Sequence, residues 1–347
     1  MLPIAKWTLP ASLLLACAAA TAGPLDKLAV QLSLANPVVQ GDAGVSVDVA
    51  ITNTTRHAVK VLKWQLPSDE LHGSLFRLTR EDGSTARYVG PVVKRAAPSP
   101  ADYAWIEAGA TLKYSVELSR DYELGNGRYA VEFAGREGRG FREATYAASA
   151  PLTLWLSGRS AQVDTAGIDA AGQGTEASIT FTGACTASEQ TALTTAVGAA
   201  TTYSTESKAY LDGTASGTRR YVEWFGKFKQ TRWNKVQDHF NKIDDAFKTK
   251  PLTLDCSCTS SAYAYVFPGQ PYKIYLCNAF WSAPMTGTDS KAGTLIHEMS
   301  HFTVVAGTDD HAYGQTAARN LAKSNPKLAV DNADSHEYFA ENTPNLP

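Results

Sequence analysis

Charge is scarce in this chain. Of its 347 residues 19% are charged, and the formal net charge is −2, so no strong field marks a nucleic-acid or anionic-membrane partner. No low-complexity tract and no repeat of solenoid length is present, and long apolar runs are missing beyond the N-terminus. Cysteine is rare, five residues in all, one of them Cys17 inside that first apolar run. The others, Cys185, Cys256, Cys258 and Cys277, come late and lack the paired C-x-x-C spacing of a structural zinc site. An even number of cysteines in an exported chain predicts two disulfides instead. The neighbouring half-cystines of "CSC" are then expected to take different partners. Lysine is missing from the whole interval between Lys113 and Lys208.

What is present begins with an export signal. Lys6, the apolar stretch "LPASLLLACAAA" and the A-x-A site Ala20-Thr21-Ala22 mark residues 1–22 as a signal peptide. The run is too short for a stable membrane anchor. Lipid attachment at Cys17 is the alternative to a freely secreted product. The length leaves room for two or three domains, and 44% hydrophobic residues suit globular cores.

From residue 23 to 157 the pattern is strand-like. Short alternating segments such as "LAVQLSLA", "VSVDVAITN", "ARYVGPVV", "TLKYSVELS" and "GRYAVEFAG" are separated by turn formers, which predicts an all-β, immunoglobulin-like sandwich. It holds no cysteine and no cluster of histidines with carboxylates, so no chemistry is expected of it. Residues 158–178 are small and polar, the composition of a linker. Beyond them, in residues 179–347, apolar residues recur three and four apart over "TASEQTALTTAVGAATTYSTESKAYL" and "TRRYVEWFGKFKQTRWNKVQDHFNKIDDAF", as in amphipathic helices. "AYAYVFP" and "YKIYLCNAFW" read as a strand pair, and "GTDSKAGTLIHEMSHFTVVAG" as a helix capped at Thr288 or Asp289 and ended by Gly307. The second domain is therefore mainly α with a small β element.

That last helix carries the chemistry. His297-Glu298-Met299-Ser300-His301 is H-E-x-x-H, which puts two imidazoles four residues apart on one helix face and a carboxylate beside them. With seven histidines in the chain, chance production of the motif is on the order of one per cent. The apolar flanks "AGTLI" and Phe302 suit a buried helix. A catalytic zinc takes three protein ligands and leaves a fourth position for water, so one ligand is still to be found. The metzincin extension fails, because Val304 and Gly307 stand where Gly and His are required. Asp309, Asp310, His311, Glu337 and Glu341 all remain open, and spacing does not choose among them.

The segment "GTDDHAYG" matches G-T-x-D-x-x-Y-G, and the chain thereby resembles the aspzincin, or deuterolysin, family of zinc endopeptidases. "SEQTAL", "YLCNAFW", "AYGQTAA" and "NADSHEYFAEN" extend the likeness over about Thr182 to Pro344, to the peptidyl-Lys branch of that family. The resemblance implies one catalytic Zn2+ held by His297, His301 and Asp310, with Glu298 as general base and Tyr313 as donor to the oxyanion. It also implies disulfides Cys185–Cys256 and Cys258–Cys277, and an acidic pocket of Asp334 and Glu337 for the lysine after the scissile bond. Two converging carboxylates suit a compact ammonium with three donors.

The expected protein is thus a secreted zinc endopeptidase acting on proteins or peptides. The sandwich is expected to be a propeptide that holds the enzyme latent as an intramolecular inhibitor. With no lysine in the linker, a lysine-directed enzyme cannot free itself there, and release by another protease or by off-preference autolysis is expected. The alternative is an enzyme of broad specificity whose sandwich is a retained binding module.

Overall fold

The computed structural model describes residues 28–68, 71–135, 149–160 and 178–347. The signal peptide, Cys17 and most of the linker lie outside the described residues.

The N-terminal region is built from β1 (Leu28–Leu34), β2 (Val38–Gln40), β3 (Ser46–Asn53), β4 (Val59–Leu62), β5 (Phe76–Arg80), β6 (Val92–Lys94), β7 (Tyr103–Ile106), β8 (Thr111–Glu117), helix α1 (Leu118–Asp121), β9 (Gly127–Phe133) and β10 (Leu152–Ser157). Alternation decides which faces turn inward. In β3, Val47, Val49 and Ile51 are buried while Ser46 and Asp48 are exposed, the period-two pattern of a half-buried strand. Two sheets, ordered β1-β3-β8 and β2-β10-β9-β5, share one apolar core with Leu78, Val131 and Leu154, and β4 pairs with β7. Pairing is antiparallel except between β2 and β10.

One strand departs from the sequence-based expectation. The segment "ARYVGPVV" reads as part of the sandwich, yet β6 leaves it and joins the sheet of the C-terminal region. Local alternation cannot say which sheet edge a strand pairs with, because any open edge offers the same backbone donors and acceptors.

The C-terminal region holds β11 (Ile179–Thr182), α2 (Ala187–Leu211), α3 (Arg219–Phe225), α4 (Gln230–Thr249), β12 (Leu252–Asp255), β13 (Ala264–Val266), β14 (Lys273–Leu276), α5 (Asn278–Ser282), α6 (Lys291–His301), α7 (Gln315–Ser324), α8 (Pro326–Ala329) and α9 (Ala333–Glu341). Thr186 and Glu189 form a capping box that starts α2. The chain breaks between α3 and α4 at Gly226, where φ is 76° and a Cβ would lie 2.1 Å from the Ala322 carbonyl oxygen. The sheet order is β11-β12-β14-β13-β6, with β11, β12 and β14 parallel and β13 antiparallel. Cys185–Cys256 and Cys258–Cys277 are bonded. The first ties the start of α2 to the end of β12, and the second ties the loop before β13 to the end of β14.

Helix α6 lies in the middle of this region with all of its residues buried. Its ends differ from the sequence reading. Ser290, not Thr288 or Asp289, is the N-cap, and its hydroxyl accepts from the Gly293 N–H while donating to Glu341. The helix stops at Phe302 rather than Gly307, because Phe302 turns to φ −58° and ψ 129°. The chain then folds back on itself: the Val305, Ala306 and Gly307 amides bond to the Phe302 carbonyl, and Thr308 N–H reaches the Ser300 carbonyl. This early stop brings residues 308–310 under the helix.

Candidate active site

His297 and His301 leave α6 on the same side, their ring centroids 4.8 Å apart. The folded-back loop delivers Asp310, whose Oδ1 lies 3.0 Å from His297 Nε2 and 3.5 Å from His301 Nε2. All three side chains are essentially without solvent exposure. His301 is held from its other nitrogen, and His297 has two carboxylates beside its own. His301 Nδ1 is 2.8 Å from the Thr308 carbonyl oxygen, which can only accept, so the proton sits on Nδ1 and the Nε2 lone pair faces Asp310. His297 Nδ1 lies 2.9 Å from Asp334 Oδ1 and 3.3 Å from Glu337 Oε2, so carboxylates favour the same tautomer there. Carboxylates and carbonyls behind histidines in this way are characteristic of metal sites.

The donor set fits a zinc ion. His297 Nε2, His301 Nε2 and Asp310 Oδ1 are buried and have no hydrogen-bond partner, although buried polar atoms are nearly always satisfied. Two neutral imidazole nitrogens and a carboxylate oxygen within 4.8 Å of one another are the ligand types and number that a catalytic zinc takes.

Beside them, Glu298 is fully buried and neither of its carboxylate oxygens is hydrogen-bonded. Burial pushes its pKa up to about 7, with His297 and His301 opposing. Tyr313 is buried against the edge of Trp64. Its single phenolic proton has two acceptors in reach, Asp310 Oδ2 at 2.9 Å and the Val93 carbonyl oxygen at 2.7 Å.

Asp334 and Glu337 stand on α9 behind His297. The Gly314 N–H donates to Asp334 Oδ2 at 2.6 Å, which fixes that carboxylate. Between the two acids sits an ammonium from the N-terminal region: Lys94 Nζ donates to Glu337 Oε2 and lies 3.7 Å from Asp334 Oδ1, all three side chains being fully buried. Tyr263 covers it, with its ring centroid 5.1 Å from Nζ. Burial opposes the charged lysine, but Glu337 and Asp334 outweigh it and hold the ammonium well above the usual lysine range. Glu337 itself is raised by burial, with Lys94 opposing.

The structure thus brings His297, Glu298, His301, Asp310, Tyr313, Asp334 and Glu337 into one buried cluster. The other residues left open as third ligand lie elsewhere. Asp309 accepts from the Asp310 N–H, and His311 is 3.0 Å from Asp331. Glu341 accepts from the Asp289 and Ser290 amides and braces the start of α6. Three contributors escaped the sequence reading. Gly293 is required because a Cβ there would lie 2.1 Å from Glu341 Oε1. Thr308 orients His301. Lys94 comes from the region in which no chemistry was expected, and no local motif signals it.

Two imidazoles from H-E-x-x-H, an aspartate oxygen and an unpaired glutamate in one buried cluster define the zincin class of metalloendopeptidases. Comparison with known sequences narrows this. Residues 210–341 match the aspzincin family described as lysine-specific metallo-endopeptidase. An "Extracellular protease" of Aeromonas hydrophila is 45% identical over 308 residues, spanning 86% of this chain and 88% of the relative. A "Peptidyl-Lys metalloendopeptidase" of Grifola frondosa is 37% identical over 332 residues, spanning 91% and 93%. A solved zinc peptidase from Grifola frondosa is 48% identical and aligns with a TM-score of 0.46, covering 47% of this chain and 100% of that one. The chain belongs to the aspzincin family and is a zinc metalloendopeptidase. Among the described residues no helix is long and apolar enough to cross a membrane.

Proposed function

We propose that this chain is the secreted, latent precursor of an endopeptidase that cuts on the amino side of lysine. In this reading residues 1–22 are the export signal, 23–157 an immunoglobulin-like propeptide, 158–178 the linker and 179–347 the protease. The observation that carries the reading is the pair Asp334 and Glu337, fully buried and closed around the ammonium of Lys94. Two buried carboxylates left unpaired would be costly, about 3–5 kcal/mol for a broken buried pair. The pocket therefore demands a cation, and its depth under Tyr263 suits a slender lysine better than the planar fork of arginine. The same contact favours latency over a retained binding module, since the lysine of the N-terminal region fills the space a substrate lysine needs.

Zinc, held by His297, His301 and Asp310, would supply Lewis-acid polarisation of the scissile carbonyl and activation of water. Glu298, buried beside the two histidines with neither carboxylate oxygen hydrogen-bonded, takes the proton of the attacking water. Tyr313 donates to the oxygen on which negative charge develops, an interaction strongest in the transition state. Glu298 then returns the proton to the leaving amine. Asp334 carries two duties, orienting His297 and receiving the substrate ammonium.

Digestion of a denatured protein mixture with the mature enzyme, followed by mapping of the new N-termini, tests the specificity. Lysine is expected at nearly all of them. A spread of hydrophobic residues there would refute the acidic-pocket assignment while leaving the zinc protease intact.

A further inference from the structure

Lys94 does not enter the pocket as an isolated side chain. It arrives on β6, which adds to the open edge of the C-terminal sheet with Ala264 opposite Lys94, Tyr265 opposite Val93 and Val266 opposite Val92. Strand addition to a sheet edge is a general way for proteins to bind extended peptides. The backbone is held on both sides of the Val93–Lys94 bond. The Val93 carbonyl oxygen lies 2.7 Å from the Tyr313 hydroxyl, and the Lys94 carbonyl accepts from the Tyr263 N–H at 3.0 Å. Val92, Val93 and Lys94 are all buried.

Three features therefore converge on one peptide bond: a lysine in the acidic pocket, the preceding carbonyl on the oxyanion donor, and an extended backbone in register with β13. These are three features expected of a bound substrate. From them we propose that Val93–Lys94 is the chain's own first cleavage site, hydrolysed within the same molecule. The proposal rests on the reading that the enzyme cuts before lysine. It adds a cut inside the N-terminal region to the release expected in the lysine-free linker.

The step consumes one water. Its oxygen bonds to the Val93 carbonyl carbon, the C–N bond to Lys94 breaks with its electron pair going to nitrogen, and Glu298 relays a water proton to that nitrogen. The products are a new Val93 carboxyl terminus and a new Lys94 amino terminus. Until the bond is cut, Lys94 is tethered from both directions and excludes other lysines from the pocket. Afterwards it is held from one side only, and the strands before it are no longer covalently joined to the protease.

The test uses the purified full chain with zinc, followed over time by intact mass and N-terminal sequencing, alongside cleavage of a reporter peptide containing one Xaa-Lys bond. The expected result is a fragment beginning at Lys94 that forms with a first-order rate independent of protein concentration. Glu298→Gln should slow its formation by roughly a hundredfold or more. Lys94→Gln should abolish that fragment and cut the reporter without a lag; Lys94→Arg supplies a second variant that keeps the charge if the glutamine variant misfolds, with nicking at least tenfold slower. A rate rising in proportion to concentration would overturn the intramolecular step. An uncut Val93–Lys94 bond in a preparation that cleaves the reporter would overturn the site while sparing lysine specificity. Failure to cut any Xaa-Lys bond would remove the specificity reading and this proposal together.

Discussion

At the scale of single residues the proposed mechanism separates holding metal from moving protons. Asp310 is buried, with Oδ1 3.0 Å from His297 Nε2 and 3.5 Å from His301 Nε2. Asp310→Asn keeps the size and removes the charge, so zinc content after dialysis should fall well below one equivalent, with activity lost in parallel; elemental analysis checks this. Glu298→Gln should behave differently, retaining zinc while kcat falls about 10²–10⁴-fold. A variant that lost both would mean that Glu298 also supports metal binding. Of these residues, the two histidines and the glutamate announce themselves through their spacing. Asp310 was separable from Asp309 and His311 only through the family signature. Whether neighbouring side chains in a loop point toward a helix or away depends on backbone turns that spacing does not encode.

Two elements support the site, and each can be perturbed without touching a ligand. Helix α6 starts against Glu341, and Gly293 leaves the gap that this carboxylate occupies. Gly293→Ala should push Glu341 aside and destabilise the protein by about 1–3 kcal/mol, read as a lowered urea midpoint. This loss would outweigh the gain in helix propensity that alanine normally brings. Helix α9 is joined to α4 by His336 and His239, whose Nε2 and Nδ1 lie 2.9 Å apart while His336 Nδ1 donates to the Asn332 carbonyl. Burial lowers the pKa of His336 to about 4 and that of His239 to about 2. In the unfolded chain both protonate near 6.5, so the unfolded state binds more protons below that pH. Their contribution to stability is complete above pH 6.5 and is lost as the pH falls toward 4 and below. The urea midpoint should therefore drop over this window, and the slope should flatten in His239→Gln. The helices themselves were visible as apolar residues three and four apart. The ends of α6 were not, because Ser290 outcompetes its neighbours as a cap through Glu341, a residue distant in sequence.

For the whole molecule, strand β6, the buried triad of Lys94 with Asp334 and Glu337, and the packing of Trp64 on Tyr313 couple the two regions. Lys94 and Glu337 are 243 positions apart, and the pairing of β6 with β13 makes a five-stranded sheet out of both regions. The Cys185–Cys256 bond acts within the C-terminal region alone, closing a separation of 71 residues around α2, α3 and α4. Loop-closure entropy for that length is about 4 kcal/mol. A Cys185→Ser, Cys256→Ser double variant should unfold at correspondingly lower denaturant. If its midpoint matched that of the parent, residual structure in the reduced chain would have to account for it.

The sequence by itself determined the division into a β-rich N-terminal and a mainly helical C-terminal region, because alternation and helical spacing are local properties of the chain. It also determined the zinc helix, because four-residue spacing on a helix is geometry that needs no other segment. Only the tertiary structure decided that Phe302 ends α6 early and turns Asp310 under the histidines, that Glu341 braces a helix instead of binding metal, and that β6 belongs to the far sheet. Above all it decided the occupant of the acidic pocket. A strand carries no mark of the edge it will join, and a lysine none of the carboxylates it will meet; those choices are made by burial, which rewards pairing an ammonium with two acids that would otherwise be buried alone.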